Sequence, residues 1–349
     1  MDLKLFALTA CLLIGSACAQ DNQDYDSLYT SLNDSGIGPD LNVGSDLDST
    51  ELGSLPRLDV SFLQKLIDDA SDGSSMITSG IFVLSGPLII NKNMTLIGSP
   101  LAVIDAHGAS QMLQIDNPRA SLTVENFLFI HGSGDYGGAI TSQAGSLTVR
   151  DCMFLDNLAN YGAAIYQKGG NLQIENSTFE GNNATIWGAA IYDNGGDMQM
   201  ESSKFTQNPG SLVICANGTR PRQAMVLIRD CNISDNPGPY TTRSSGFGGA
   251  VACKNSTTLI DHCTIKGNKA LVMTSTFLGG ANAGLVFVGS NVILNDTLIE
   301  GNEARFMPAV DVGQNSTVVI NRCSIKENRA LSIIFLKIVG GHRAYLRVA

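Results

Sequence analysis

From Ile77 onward, apolar residues alternate with polar ones in short runs broken by Gly, Asn and Asp. Such period-two alternation predicts β-strands with one buried face. The runs recur. A unit beginning Ser121-Leu122-Thr123-Val124 returns at Ser146, Asn171, Asp197, Met225, Thr257, Asn291 and Thr317, at spacings of 25, 25, 26, 28, 32, 34 and 26 residues. Positions two and four are apolar, as in Leu147 and Val149 or Val318 and Ile320. Position seven is Phe127, Cys152, Ser177, Ser203, Cys231, Cys263, Thr297 and Cys323, mostly small. Position nine is bulky: Phe129, Phe154, Phe179, Phe205, Ile233, Ile265, Ile299 and Ile325. Position twelve is Gly132, then Asn157, Asn182, Asn208, Asn236, Asn268, Asn302 and Asn328.

Each unit reads as one turn of a solenoid. Positions two and four share a strand face, and a second strand begins at position seven. Asn at a fixed corner tolerates the left-handed conformation and bonds nearby backbone. Stacked one per coil, the seven Asn are expected to bond one another as a ladder. A third strand is marked by Gly138-Ala139-Ile140, Ala163-Ala164-Ile165, Ala189-Ala190-Ile191 and Gly249-Ala250-Val251. Three short strands per coil predict an all-β right-handed parallel β-helix of about ten coils, roughly 45 Å long at about 4.8 Å per coil. A leucine-rich repeat has a similar period but needs helix or extended turn where this chain has Gly-Ala-Ile-Tyr.

The pattern divides the chain. Residues 1–19 have Lys4, the apolar run Leu5–Gly15 and Ala17-Cys18-Ala19, the features of a secretory signal peptide. Residues 20–56 hold eight acidic and no basic residues without periodicity, which predicts a disordered leader. Within 57–75, Phe62, Leu63, Leu66, Ile67 and Ala70 recur at helical spacing, with Ser61 placed to cap. This predicts a short helix covering the open edge of the first coil. Residues 76–330 form the β-helix, and 331–349 lose the repeat and read as an irregular tail.

The units Ser146–Asn157 and Gly162–Tyr166 resemble the repeats of polymorphic outer-membrane-protein and pectin-lyase-like β-helix proteins, from about Asp59 to Asn328. The resemblance implies the fold. For function it implies either an adhesin or surface protein, or a polysaccharide lyase or hydrolase. Those outer-membrane proteins continue into a membrane β-barrel, and no such segment is predicted here.

Composition adds little until it is divided along the chain. The 349 residues have 37 Gly, 15% charged residues and a net charge of −10. The leader carries −8 of this and the rest from Arg57 onward only −2. No basic face is predicted, which argues against a nucleic-acid partner. No segment is long and apolar enough for a transmembrane helix.

Six cysteines follow the signal. In an exported chain an even count suggests disulfides, and coil spacing selects Cys215–Cys253 and Cys231–Cys263, with Cys152 and Cys323 free. Nine N-x-Ser/Thr sequons occur, at Asn33, Asn93, Asn176, Asn183, Asn217, Asn232, Asn255, Asn295 and Asn315. Asn217 and Asn255 are expected to be the better glycosylation sites, in matching Cys-x-Asn-x-Thr turns.

No catalytic set emerges. Asp261-His262-Cys263 resembles a pectate-lyase motif but sits at the register of Arg150-Asp151-Cys152, so the repeat explains it. Arg220-Pro221-Arg222 resembles part of a lyase arginine motif without its surroundings. Asp68-Asp69 lies on the cap helix. His107 is expected to serve a turn, and His131, ahead of Asp135, lacks a second His or a Glu for a metal. No P-loop, dinucleotide fingerprint or Cys-x-x-Cys is present, so no catalytic residue, metal or cofactor is predicted. The expected function is a non-catalytic, secreted or cell-surface solenoid that adheres to or recognises an extracellular glycan or surface protein. The alternative is a lyase or hydrolase acting on uronan-type glycans.

Overall fold

A computed structural model describes residues 56–58, 60–143, 145–219, 223–238, 249–270, 284–305, 308–331 and the backbone of 345–348. Residues 1–19, expected to be a signal peptide, nearly all of 20–56, expected to be a leader, and Arg220-Pro221-Arg222 lie outside the described residues.

The chain folds as a parallel β-solenoid of about nine turns, one fewer than the spacing predicts; the face bearing the third strand has nine members. Every unit boundary is met by the pairing: Ser121 lies beside Ser146, Asn171 beside Asp197, Met225 beside Thr257, and Asn291 beside Thr317. The core is built from columns of equivalent residues. Phe129, Phe154, Phe179 and Phe205 stack nearly parallel at centroid spacings of 4.9, 4.7 and 4.6 Å, and Ile233, Ile265 and Ile299 continue the column. All seven are fully buried.

Two corners bracket the second strand. Position six carries Asn126, Asp151, Asn176, Ser202, Asp230, His262, Asp296 and Arg322, all with positive φ. Position eleven does the same with His131, Asp156, Gly181, Gln207, Asp235, Gly267, Gly301 and Glu327. Left-handed backbone is costly for most L-residues and least so for Gly, Asn and Asp, which explains much of this usage. The asparagine ladder forms as expected. Each side-chain amide donates to the next carbonyl, from Asn157 to Asn182 at 2.8 Å through Asn302 to Asn328 at 2.9 Å. Each amide also reaches the backbone carbonyl of position nine in the preceding coil, as Asn182 does at Phe154.

Three expectations change in detail. Many coils have a fourth short strand directly after the Asn corner, such as Leu158–Tyr161, so the Gly-Ala-Ile strand is the fourth segment of the coil. The cap helix runs Val60–Asp69, one residue earlier than predicted, which puts Ser61 inside its first turn. The tail contributes a further strand, Tyr345–Val348, parallel to Thr317–Ile320.

The helix buries Leu63 and Ile67 against the first coil. Gln64 accepts from the Ile89 N–H at 2.8 Å and donates to the Ile89 carbonyl at 3.2 Å, taking the place of a neighbouring strand. Lys92 donates to the carbonyls of Asp68 and Ala70 at the helix C-terminus.

Candidate functional site, an aromatic platform and a histidine corner

The strands after the Asn corner, Ser133–Tyr136, Leu158–Tyr161 and Asn183–Trp187, pair in parallel with Tyr136, Tyr161 and Trp187 in register. Gly137, Gly162 and Gly188 follow, each with positive φ, and a Cβ there would strike the carbonyl of Ile140, Ile165 or Ile191. This tight turn returns the chain so that Tyr166 and Tyr192, outward on the next strand, meet the first column. Tyr136 stacks on Tyr161 at 5.3 Å, and Tyr161 meets Trp187 edge-on at 6.2 Å. Tyr166 and Tyr192 back them, at 4.8 Å from Tyr136 and 5.5 Å from Tyr161. Tyr136 is 45% exposed, Tyr161 and Trp187 are half-buried, and the two backing rings are buried.

Polar groups rim the rings. Asn217 donates to Asn194 at 3.1 Å and reaches the Tyr192 hydroxyl at 3.5 Å. Asn160 donates to Asp135 at 2.9 Å and accepts from Thr185 at 2.5 Å. The Trp187 indole N–H has no hydrogen-bond partner. Burial pushes the Tyr166 and Tyr192 phenols above their ordinary range, so both stay neutral. Flat apolar ring faces beside neutral hydroxyl and amide groups suit a ligand that is itself part apolar and part hydroxylated.

A second cluster lies at the corner of the N-terminal coils. Asp105 ends the second-coil strand Met94–Asp105, with its side chain only 3% exposed. Its carboxylate accepts the His107 backbone N–H at 2.8 Å. His107 Nδ1 stands 2.8 Å from Oδ2, and His131 Nδ1, one coil on, stands 3.1 Å from Oδ1. Burial opposes ionisation of Asp105, but the hydrogen bonds from His131 and His107 outweigh it and hold the acid below its ordinary range. The bond to Asp105 likewise raises His131 against burial, and Asp156 in the following coil adds to this. The expected separate turn roles of His107 and His131 therefore give way to a joint one. Near Asp261, His262 is 3.0 Å from that acid, but Asp296 is engaged by Arg322 at 2.5 and 2.7 Å, so an ion-pair ladder occupies that corner.

A groove of about 690 Å³ runs along the outer side of the first strands, lined by Gln173, Gln199, Met225, Leu227, Leu259, Ile293 and their neighbours. Among the described residues, Asp197 is its one ionisable lining residue. The groove therefore presents no cation to neutralise a uronate and no acid–base pair.

Cys152, Cys215, Cys231, Cys253, Cys263 and Cys323 are all free, so neither expected disulfide is formed. The register rules out Cys215–Cys253 outright. Cys215 lies beside Ala252, and Cys253 lies beside Ala216. Cys215 packs outside against Tyr166 and Tyr192, whereas Cys253 points into the core. The similarity of the two Cys-x-Asn-x-Thr segments hides a one-residue offset, and one residue exchanges the faces of a strand. Cys231 and Cys263 do share a column. The facing Cys263 thiol, with burial, raises Cys231, whereas the Cys231 thiol lowers Cys263 against the opposing effect of burial. Each thiol also donates to the carbonyl two residues back, as the hydroxyls of Ser177, Ser203 and Thr297 do in the same column. Cys, Ser and Thr interchange here because all three supply that donor.

Among the described sequons, Asn176, Asn232 and Asn315 are exposed, and Asn93, Asn183, Asn217, Asn255 and Asn295 are half-buried. The Asn217 amide is spent on Asn194, and that of Asn255 on the Gly218 carbonyl at 3.2 Å. Asn33 lies outside the described residues.

Sequence reading missed both the platform and the histidine corner. A signal for the first exists: Tyr136-Gly-Gly-Ala-Ile-Thr141, Tyr161-Gly-Ala-Ala-Ile-Tyr166 and Trp187-Gly-Ala-Ala-Ile-Tyr192 repeat one motif with aromatic ends. For the second, Asp105 and His131 needed their coil register.

Comparison with known proteins bears on the fold. The family model described as "Right handed beta helix region" matches residues 71–221 and 187–337. No curated protein matches the chain. A solved structure described as "a new PL6 alginate lyase complex with trisaccharide" superposes with a TM-score of 0.42 at 12% identity, covering 80% of this chain and 63% of that one. The chain thus spans less than two thirds of that protein.

Proposed function

This chain belongs to the right-handed β-helix family, and from that premise we propose that it is a non-catalytic, exported glycan-recognition solenoid that binds saccharide on its aromatic platform. The observation that carries this is the five-ring cluster of Tyr136, Tyr161, Tyr166, Trp187 and Tyr192 from three consecutive coils. Tyr136, exposed at the end of the stack, with Tyr161 and Trp187 half-buried beside it, offers an apolar ring surface to a sugar ring. Asn194 and Asn217 supply polar contacts for hydroxyls. The signal-like residues 1–19 support export to the cell surface or medium, where such ligands occur. Among the described sequons, Asn232 and Asn315 are exposed candidates for glycosylation, and Asn176 is exposed with its amide donated to Asp151.

Uronan cleavage is the competing activity, and the near-absence of ionisable groups in the first-face groove argues against it. The test is binding of neutral and acidic oligosaccharides by calorimetry, together with assay for released products. Binding without products is expected, weakened by about tenfold or more in Tyr136→Ala and Trp187→Ala, as for loss of an anchoring ring. Equal affinity in parent and variants would remove the platform from the proposal. Unsaturated uronide products from pectin or alginate would replace binding with catalysis.

A further inference from the structure

We infer that Asp105, His107 and His131 form a binding site for a borderline transition-metal ion, with Zn²⁺ as the best match to two imidazole nitrogens and one carboxylate. One ligand atom from each residue, a carboxylate oxygen of Asp105 and a ring nitrogen of each histidine, lies within 4.8 Å of the other two. The two carboxylate–imidazole separations are 2.8 and 3.1 Å. Metal–ligand bonds of about 2.0–2.1 Å in a tetrahedron require ligand-to-ligand edges of about 3.3 Å, so the two carboxylate–imidazole edges need to spread by only a few tenths of an ångström, while the imidazole–imidazole edge, within 4.8 Å, adjusts by rotation of the partly exposed rings. The ion would stand where N–H groups now bridge the rings to the acid, with each remaining ring proton on Nε2.

The backbone holds the donors in place. His107 and His131 have φ of 47° and 55°, in corners where most side chains are disfavoured, and Asp105 is tied to the His107 N–H. The site links two successive coils, because His131 comes from the coil after Asp105. Both rings are partly exposed, at 47% and 37%, so an ion can enter and a fourth position is open to water or an external ligand. Asp156, one coil further, adds favourable negative potential beside His131. The other grouping of this kind among the described residues, around His262, has its Asp296 carboxylate held by Arg322 and serves as an internal control.

The experiment uses full-length protein without a histidine tag, stripped of metal and titrated with Co²⁺ and then Zn²⁺. The expected result is one equivalent bound with the visible absorption of four-coordinate Co²⁺, bleached when Zn²⁺ displaces it. His107→Gln and His131→Gln should each weaken binding by about tenfold or more, while His262→Gln leaves it unchanged. His107 is half-exposed, so its variant tests the site in a folded protein. A Zn²⁺-dependent rise in Tm should be present in the parent and absent in His107→Gln. No four-coordinate Co²⁺ spectrum in the parent, or unchanged affinity in both histidine variants, overturns the site and leaves an Asp–His hydrogen-bonded turn.

Discussion

Asp193 stacks in register after Gln167 and Ser142 on the inner side of the strand that follows the glycine turn. All three are fully buried. Ser142 Oγ, Gln167 Oε1 and Asp193 Oδ2 have no hydrogen-bond partner, while Asp193 Oδ1 accepts the Gly196 N–H at 3.2 Å. Burial pushes the Asp193 carboxyl up to about 7, against the pull of Gly196. An unfolded Asp releases its proton near pH 4, so between there and pH 7 the folded chain holds a proton that the unfolded one has lost. Stability from this group is therefore fullest below pH 4, falls by about 1.4 kcal/mol per pH unit as pH rises, and levels off above 7 after losing about 4 kcal/mol. Asp193→Asn should remove that slope and be more stable than the parent above pH 7. Urea unfolding of both proteins from pH 4.5 to 8 checks this, and parallel curves would refute it.

The strands and corners owe their alignment to columns that bond along the axis. Asn208 is a full member of one column. Its amide donates to Phe179, Thr206 and Asn236, and its carbonyl accepts from the Asn182 backbone and side chain. Removing a buried group of this kind leaves partners unpaired in a dry interior, so Asn208→Ala should cost about 3 kcal/mol. Asn328, half-buried at the end of the column, should cost about 1 kcal/mol when replaced by Ala. Denaturation midpoints of the two variants measure the difference; equal losses would mean the ladder contributes no more inside than at its end. Register at this scale was legible wherever an apolar column marked it, as at Phe129–Phe205. It was misread at Cys215 and Cys253 because the similar Cys-x-Asn-x-Thr text outweighed the Ile214–Val251 core column, which aligns the strands one residue differently.

A solenoid of about nine turns has two ends, and each presents unpaired strand backbone unless something covers it. At the N-terminal end Leu63 and Ile67 seal the core, while Gln64 serves the Ile89 backbone. Ile67→Asp would place a carboxylate at the mouth of that core and lift the helix from the edge. The expected outcome is concentration-dependent association through the opened end, read as larger particles by light scattering than in the parent. A variant with the parent's particle size at every concentration would show that the helix does not guard the edge.

The sequence by itself determined the repeat, the inner columns and the asparagine ladder, because each depends on chemistry recurring at a fixed spacing along the chain. Left-handed corners select Gly, Asn and Asp, and inward positions select apolar side chains, so both leave a periodic trace in composition. What only the tertiary structure decided was contact between neighbouring coils. The stacking of Tyr136 on Tyr161 depends on the glycine turn's angle, and the meeting of His131 with Asp105 depends on one strand's place beside the next. A disulfide column is equally sensitive, since a one-residue offset moved Cys253 inward and left Cys215 outside. Lateral neighbours in a parallel sheet lie about 25 residues apart in this chain yet only about 4.8 Å apart in space. At that distance, whether two side chains touch or point to opposite faces is decided by a single residue of register.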